Sequence, residues 1–265
     1  RLEIITKERV KDEFCKMLTC KHPIMAMELL RKIGAMHYVI PELEETYSMT
    51  QNEYHFGTVW EHTMMVLEGT KDDNMILRIS ALLHDIGKIR VCTEEDGKIH
   101  FLKHELKSGE MIDELLRPLK FSNEIIKEVT FLVRNHMICK TWGSECEYMK
   151  DKKLRRFQYE CKTEERFRNL MTIIDADNNA YAADKCMPKQ VEFILSRTEA
   201  MKAEGSAMFG YKLPLTGKEI MDLKGIKPGP GVKECLDYLL KIAFANPLRE
   251  KEKFVKHLLG YRLQK

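Results

Sequence analysis

The sequence lacks any apolar run long enough to cross a bilayer, which excludes a transmembrane helix of about 20 residues. It also lacks a recognisable secretory leader, because Arg1 to Lys16 is charged and amphipathic. The eight cysteines include no C-x-x-C pair, which argues against a zinc knuckle. We therefore expect a soluble, cytoplasmic protein with reduced thiols and no membrane partner.

Signals for β-strands are also rare. The clearest is a hairpin, with strands predicted at Arg90–Thr93 and Lys98–Phe101 on either side of a turn that contains Asp96-Gly97. Elsewhere, apolar residues recur every three to four positions, which is typical of amphipathic helices. The sequence therefore predicts an all-α protein with one short β-hairpin and no internal repeat.

Capping residues and apolar patterns locate several helices. Thr58 and Ser122 fit N-cap positions. A strongly apolar helix is predicted over Met75–Ile86, and one long helix over Thr163–Ala183. The polar stretch over residues 141–151 is predicted to be a loop.

The net charge of +3 is unevenly distributed along the chain. Residues 206–265 contain 12 Lys or Arg against 6 Asp or Glu, a net charge of +6, which leaves −3 for the rest. A basic segment suggests a polyanionic partner, and a solvated helical surface is the alternative interpretation. The candidate phosphate contacts are Lys212, Lys218, Lys224, Lys227 and Lys233.

The pair His84-Asp85 stands out because it follows the apolar run Ile79–Leu83. A polar pair in such a place is costly to bury without a partner, and a divalent metal ion is a natural partner for imidazole and carboxylate. Gly87 allows close approach of the backbone, and Lys88 places a cation where a phosphate can bind. We interpret this segment as part of a metal site.

Further ligands can be chosen by residue type and helix face. Asp177 shares a face with apolar residues such as Ile173, whereas Asp175 lies about 200° around the helix. Asp177 is therefore the predicted ligand and Asp175 the alternative. A D-x-D nucleotidyltransferase pair is rejected here, because on a helix the two carboxylates diverge and no Gly-Ser loop precedes them. The imidazole candidates are His62, His104 and His136.

This arrangement resembles the HD superfamily of metal-dependent phosphohydrolases. Leu82–Lys88 is similar to the H-D-I-G-K variant of the superfamily motif. The resemblance implies a helical HD-domain bundle, hydrolysis of phosphate esters, and one or two divalent ions of Mg, Mn, Ni, Fe or Zn. The implied metal ligands are His62, His84, Asp85 and Asp177, with His104 and His136 added in members that bind two ions.

The regions on either side resemble bacterial tRNA nucleotidyltransferases, the family of CCA-adding enzymes and poly(A) polymerases. Pro23–Leu43 and Gln51–Thr63 resemble the neck of these enzymes, and Leu215–Pro230 resembles the tail. The resemblance implies a helical neck over residues 1–50, an HD domain over 51–205 and a basic helical tail over 206–265. The family's N-terminal head domain has no counterpart in this sequence. Both a part of a longer transferase and a stand-alone relative therefore remain open.

Three functions follow from these patterns. In the first, the protein is an enzyme in which Asp85 bridges the two ions when two are bound and Lys88 stabilises charge on the phosphoryl oxygens. The resemblance implies nucleotide or RNA substrates, such as 2′,3′-cyclic phosphates, 2′-nucleotides or phosphorylated RNA ends. In the second, the chain is a tRNA-binding module that serves a nucleotidyltransferase head domain. In the third, the HD core holds metal for structure alone.

Overall fold

The structure is a computed structural model that describes residues 5–52, 55, 57–70, 74–247 and 249–263. The chain divides into two compact units. Unit 1 consists of Arg1–Glu147 and Arg168–Phe193, and unit 2 consists of Tyr148–Phe167 and Ile194–Lys265. Within the described ranges, no helix is both long enough and apolar enough to cross a membrane.

The prediction of an all-α protein with one hairpin is confirmed. The strands β1 (Thr93–Glu95) and β2 (Lys98–His100) pair antiparallel, with Glu94 opposite Ile99. Short 3₁₀ helices occur at Met36–Tyr38, Pro41–Thr46 and Lys140–Trp142. The α-helices are α1 (Lys7–Leu18), α2 (Pro23–Lys32), α3 (Val59–Gly69), α4 (Met75–Leu83), α5 (Lys88–Val91), α6 (His104–Leu116), α7 (Asn123–Asn135), α8 (Asp151–Cys161), α9 (Glu164–Asn179), α10 (Gln190–Ala203), α11 (Gly217–Lys224), α12 (Pro230–Ala245) and α13 (Lys251–Gly260).

Local sequence explains why the helices of unit 1 begin where they do. The hydroxyl of Thr58 accepts a hydrogen bond from the Glu61 amide, and the Glu61 carboxylate accepts one from the Thr58 amide, which forms a capping box at the start of α3. The side chains of Asn74 and Ser122 cap α4 and α7. Each accepts hydrogen bonds from backbone amides in the first turn of its helix, without the reciprocal bond of a capping box. Apolar faces of these helices then form the core, where residues such as Val66 are fully buried.

Two local predictions are wrong here. Helix α4 ends at Leu83 rather than Ile86, so His84-Asp85 lies in a turn. Arg90 belongs to the short helix α5, and the first strand starts only at Thr93. The turn at Asp85–Gly87 ends one helix, and the backbone then resumes helical geometry for four residues, which overrides the β-propensity of the following segment.

Helix α8 was missed, and the long helix after it is shorter than predicted. The sequence of α8 is rich in Lys and Arg, but its apolar positions Leu154, Phe157 and Cys161 recur at helical spacing and are buried. The next helix, α9, begins at Glu164 and ends at Asn179. The charged face of α8 masks a regular amphipathic pattern.

Unit 2 has its own apolar core, which includes Leu215, Ile220, Leu239, Phe254 and Leu258. Helix α11 begins with a second capping box, in which Thr216 and Glu219 exchange hydrogen bonds. The core joins α11, α12 and α13 into one packed group of helices.

Candidate metal centre

Four predicted ligands from three separate parts of unit 1 converge on one point. His62 lies on α3, His84 and Asp85 lie in the turn after α4, and Asp177 lies on α9. All four residues are buried. The His62 Nε2 lies 3.2 Å from Asp177 Oδ1, 3.3 Å from His84 Nε2 and 3.5 Å from Asp85 Oδ2. Donor atoms bound to one ion at about 2.1 Å lie roughly 3.0–3.4 Å apart, so this group has the dimensions of a coordination shell.

The other two predicted ligands meet the second oxygen of Asp85. His104, at the start of α6, places Nε2 3.0 Å from Asp85 Oδ1. His136, at the end of α7, places Nε2 3.7 Å from the same oxygen and 3.4 Å from His104 Nε2. Asp85 therefore directs one oxygen to each imidazole pair, which is the arrangement of a bridging carboxylate.

The four imidazoles are held in the same orientation. Each Nδ1 faces a backbone carbonyl, which can only accept a hydrogen bond, so Nδ1 carries the proton and the Nε2 lone pair faces inward. Such bonds fix the tautomer and orient a metal-binding imidazole. The pairs are His62 with Ala180 at 3.3 Å, His84 with Ala81 at 2.8 Å, His104 with Phe101 at 2.9 Å and His136 with Val133 at 2.7 Å.

Burial keeps several of these rings neutral. It lowers the pKa of His62, and it lowers the pKa of His136 to about 3. For His84, burial opposes the charged form, but the neighbouring Asp85 outweighs this effect and raises the pKa. Two facing Nε2 lone pairs repel unless a cation lies near them, so the donor set fits a divalent ion.

Both carboxylates are ionised. Burial opposes their ionisation, but His84 and Lys88 lower the pKa of Asp85 well below its usual value, and Lys140 does the same for Asp177. Lys88 is 1% exposed, and its Nζ lies 2.6 Å from Asp85 Oδ2. Lys140 Nζ lies 2.8 Å from Asp177 Oδ2. Each carboxylate thus has its own lysine.

A pocket of about 430 Å³ in unit 1 reaches this centre. Its lining includes the lysines Lys88, Lys140 and Lys185 and the apolar side chains Leu102 and Met187. Pockets of this size bind small organic ligands, and a few convergent polar groups fix their orientation. The combination of lysines with an apolar wall suits a phosphate attached to an organic group.

Several residues of this site were not predicted. His55 donates from Nδ1 to Asn52 Oδ1 and packs edge-on to His62 with ring centroids 4.7 Å apart. Burial lowers the pKa of His55 to about 3. Lys140 follows the ligand His136 by four residues, which is one helical turn, and this spacing was the available signal. Tyr181, which lines the pocket, follows Asp177 by the same spacing of four residues.

Gly87 is required by a close contact rather than by its backbone angle. Its amide donates to the Ser108 hydroxyl at 2.8 Å, and an added Cβ would collide with the Ser108 backbone nitrogen and the His104 backbone oxygen. The glycine therefore lets α6 pack directly on the turn that carries Asp85. This packing positions His104 against that carboxylate.

Gly87→Ala is expected to destabilise the protein by about 1–3 kcal/mol, because backbone atoms cannot move aside as a flexible side chain can. It should also weaken Mn²⁺ binding, because α6 carries His104. Urea denaturation and calorimetric titration with Mn²⁺ measure the two effects. Gly260→Ala is the control, because nothing lies within 4 Å of its added Cβ. Unchanged stability and Mn²⁺ affinity in Gly87→Ala would contradict this explanation.

The predicted RNA contacts belong to unit 2. Lys212, Lys218, Lys227 and Lys233 are exposed. Lys224 is half-buried, and its Nζ donates to the Tyr261 carbonyl at 2.8 Å, just after α13 ends. Four of the five lysines are therefore free to face solvent, whereas Lys224 has a structural bond.

Comparison with known proteins assigns parts of the chain to families. Residues 1–46 match the family described as "Probable RNA and SrmB- binding site of polymerase A". Residues 52–178 match the HD domain family, and this range contains all six predicted ligands. The Gln51–Thr63 segment overlaps this range, and its residues 53, 54 and 56 lie outside the described part of the structure.

Curated relatives extend the match to nearly the whole chain. The chain is 28% identical over 262 residues to the CC-adding tRNA nucleotidyltransferase of Thermus thermophilus. The matched region covers 97% of this chain and 57% of the relative. The chain is also 28% identical over 243 residues to the A-adding tRNA nucleotidyltransferase of Deinococcus radiodurans. That matched region covers 89% of this chain and 54% of the relative. The chain thus spans about half the length of these relatives. It contains an HD domain and is homologous to tRNA nucleotidyltransferases.

Proposed function

We propose that this chain is a divalent-metal-dependent phosphohydrolase that acts on a nucleotide or RNA phosphate ester. The observation that carries the proposal is the convergence of four inward-facing imidazole Nε2 atoms on Asp85 and Asp177. Imidazole and carboxylate together suit Mn, Ni, Fe and Zn, and carboxylate-rich sites also take Mg. The pocket beside this centre supplies lysines for a phosphate and apolar side chains for the group attached to it.

In this proposal, His62, His84, Asp85 and Asp177 would hold one ion, and His104 and His136, together with Asp85, would hold a second. A bound divalent ion supplies an activated water at neutral pH and withdraws charge from the phosphoryl oxygens. Lys88 offsets the charge of Asp85 and adds positive potential next to the phosphate. The backbone carbonyls behind each Nδ1 keep the rings from turning.

Ring opening of 2′,3′-cyclic nucleotides to nucleoside monophosphates, and phosphate release from 2′-nucleotides and 3′-phosphorylated oligoribonucleotides, test the proposal. We expect turnover that is lost with EDTA and restored by Mn²⁺, Ni²⁺ or Mg²⁺. The control is the Asp85→Asn variant, purified in the same way, which should stay inactive with every metal. Absence of metal-dependent turnover on all three substrate types would reject the hydrolase.

A second candidate is the tRNA-binding part of a nucleotidyltransferase, and the curated relatives favour it, because they are tRNA nucleotidyltransferases. In this interpretation, residues 1–50 form a neck, 51–205 the HD domain and 206–265 a basic tail that grips the RNA backbone for a head domain. The segment that matches an RNA-binding family adds support at the other end of the chain. The two candidates are compatible, since one concerns the metal centre and the other concerns unit 2 and the neck.

Replacing the exposed tail lysines by alanine is expected to weaken tRNA binding and make it less sensitive to salt. Each lost phosphate contact lowers the slope of log affinity against log salt by about one, so removal of four should lower it by roughly three to four. Binding measured by filter retention between low and physiological salt gives the slope. The test set is Lys212, Lys218, Lys227 and Lys233. The charge-matched control set in the same unit is Lys150, Lys152, Lys153 and Lys162, all exposed and outside residues 206–265. An equal change in both sets would argue against a specific tail surface.

A further inference from the structure

The pocket lysines differ in how many of their donors are already used. Lys88 Nζ forms an ion pair with Asp85 Oδ2 at 2.6 Å and donates a hydrogen bond to Gln51 Oε1 at 2.7 Å. The neutral ring of His55 places Nε2 3.5 Å away, on the third side. A lysine ammonium has three N–H donors, so Lys88 has an acceptor facing each of them. It is also almost completely buried.

Lys140 is held more loosely and lies closer to solvent. Its Nζ contacts Asp177 Oδ2 and Asn178 Oδ1, each at 2.8 Å, and lies 4.0 Å from the centre of the Tyr181 ring. Among the residues that the structure describes, Asn178 Oδ1 accepts a hydrogen bond from Lys140 and Asp177 Oδ2 is its ion-pair partner, which leaves an N–H for a further acceptor. The side chain is 14% exposed and lines the pocket.

We propose that Lys140, rather than Lys88, donates the direct hydrogen bond to the substrate phosphate. The same side chain holds Asp177 through its other donors, so the phosphate is fixed beside a carboxylate of the metal centre. A lysine ammonium is a compact charge whose donors rotate freely, which suits a phosphate oxygen. The inference rests on the proposed function for the identity of the ligand as a phosphate.

The alternative is that Lys140 only holds Asp177 in position and makes no contact with the phosphate. The two roles predict opposite effects on the metal. Removing a cation beside a carboxylate strengthens the attraction of that carboxylate for a divalent ion, so a phosphate-binding Lys140 can be lost without loss of metal. If Lys140 instead shapes the ligand set, its loss disorders Asp177 and weakens the metal.

Calorimetric titration of inorganic phosphate into the Mn²⁺-loaded protein separates these roles. We expect Lys140→Met to weaken phosphate binding about tenfold or more, which is the usual effect of losing one charge-assisted hydrogen bond. Its Mn²⁺ affinity should be unchanged or higher. Lys140→Arg should recover part of the phosphate affinity. The control is Lys189→Met, which removes the same charge from an exposed side chain paired with Glu145 at 3.9 Å.

Phosphate affinity within twofold of the unchanged protein, or weaker Mn²⁺ binding with unchanged phosphate affinity at saturating Mn²⁺, would overturn the inference. So would a failure of the unchanged, Mn²⁺-loaded protein to bind phosphate. If Lys140→Met does not fold, Lys140→Gln is used in its place, because it keeps a donor for Asp177 but loses the charge. Phosphate binding that depends on Lys140 without any turnover would reject the proposed hydrolase and leave this inference standing.

Discussion

Replacing Asp85 by asparagine is expected to abolish both metal binding and phosphate release. Asp85 is the one described side chain with an oxygen directed at each imidazole pair, at 3.2 Å from His84 Nε2 and 3.0 Å from His104 Nε2. The amide removes the negative charge and replaces one acceptor by a donor. Loss of the several kcal/mol that a metal contributes to such a reaction corresponds to a rate decrease of roughly a thousandfold or more.

The measurements for Asp85→Asn are metal content after desalting and the rate of phosphate release at saturating Mn²⁺. The matched control is Asp175→Asn, the same chemical change on α9 at a half-buried position. Because Lys88 loses its carboxylate partner, a stability loss of about 3–5 kcal/mol is also expected. Circular dichroism must therefore show that the variant is folded at the assay temperature. A folded Asp85→Asn protein that turns over at the original rate would remove the metal centre from the mechanism.

The double variant His104→Gln/His136→Gln is expected to bind one divalent ion per chain where the unchanged protein binds two. The Nε2 atoms of both imidazoles approach Oδ1 of Asp85, at 3.0 Å for His104 and 3.7 Å for His136. The group formed by His62, His84 and Asp177 is chemically unaltered by these changes. Phosphate release should fall at least tenfold, because a two-metal site stabilises both the attacking and the leaving oxygen.

Stoichiometry from calorimetric titration with Mn²⁺, together with elemental analysis, decides the number of ions. His22→Gln/His37→Gln is the control, because both of these histidines are exposed. A stoichiometry of one in the unchanged protein would show that the second imidazole pair does not hold an ion of its own. The structural role of His104 and His136 would then be to orient Asp85 by hydrogen bonding.

The two units carry different candidate sites: the metal centre in unit 1 and the tail lysines in unit 2. The metal centre, its pocket and Lys140 belong to unit 1, whereas the tail lysines belong to unit 2. Variants of the metal centre can therefore be tested for tRNA binding, and variants of the tail lysines can be tested for Mn²⁺ binding. The Lys140 and Asp85 variants should leave tRNA binding through the tail unchanged, and the tail variants should leave the affinity for Mn²⁺ unchanged.

Most helices could be predicted because their signals are local. Caps such as Thr58 and Thr216 act within one helical turn, and apolar periodicity records which face is buried. Helix α8 was missed because its charged residues obscure that periodicity. The end of α4 and the start of β1 were misplaced because the turn at His84–Gly87 is set by packing on α6, through the Gly87–Ser108 contact.

Residue chemistry was enough to propose His84-Asp85 and Asp177 as metal ligands, since a polar pair in an apolar segment is costly to bury without a cation. His62 joined this candidate set through the resemblance to the HD superfamily. Residue chemistry could not show that Asp85 faces two imidazole pairs, or that Lys88 and Lys140 each pair with a different carboxylate. Those contacts join residues far apart in the chain, such as His62 and Ala180, which are separated by 118 positions. Their geometry depends on how whole helices pack, and helix packing is a property of the folded core rather than of any short segment.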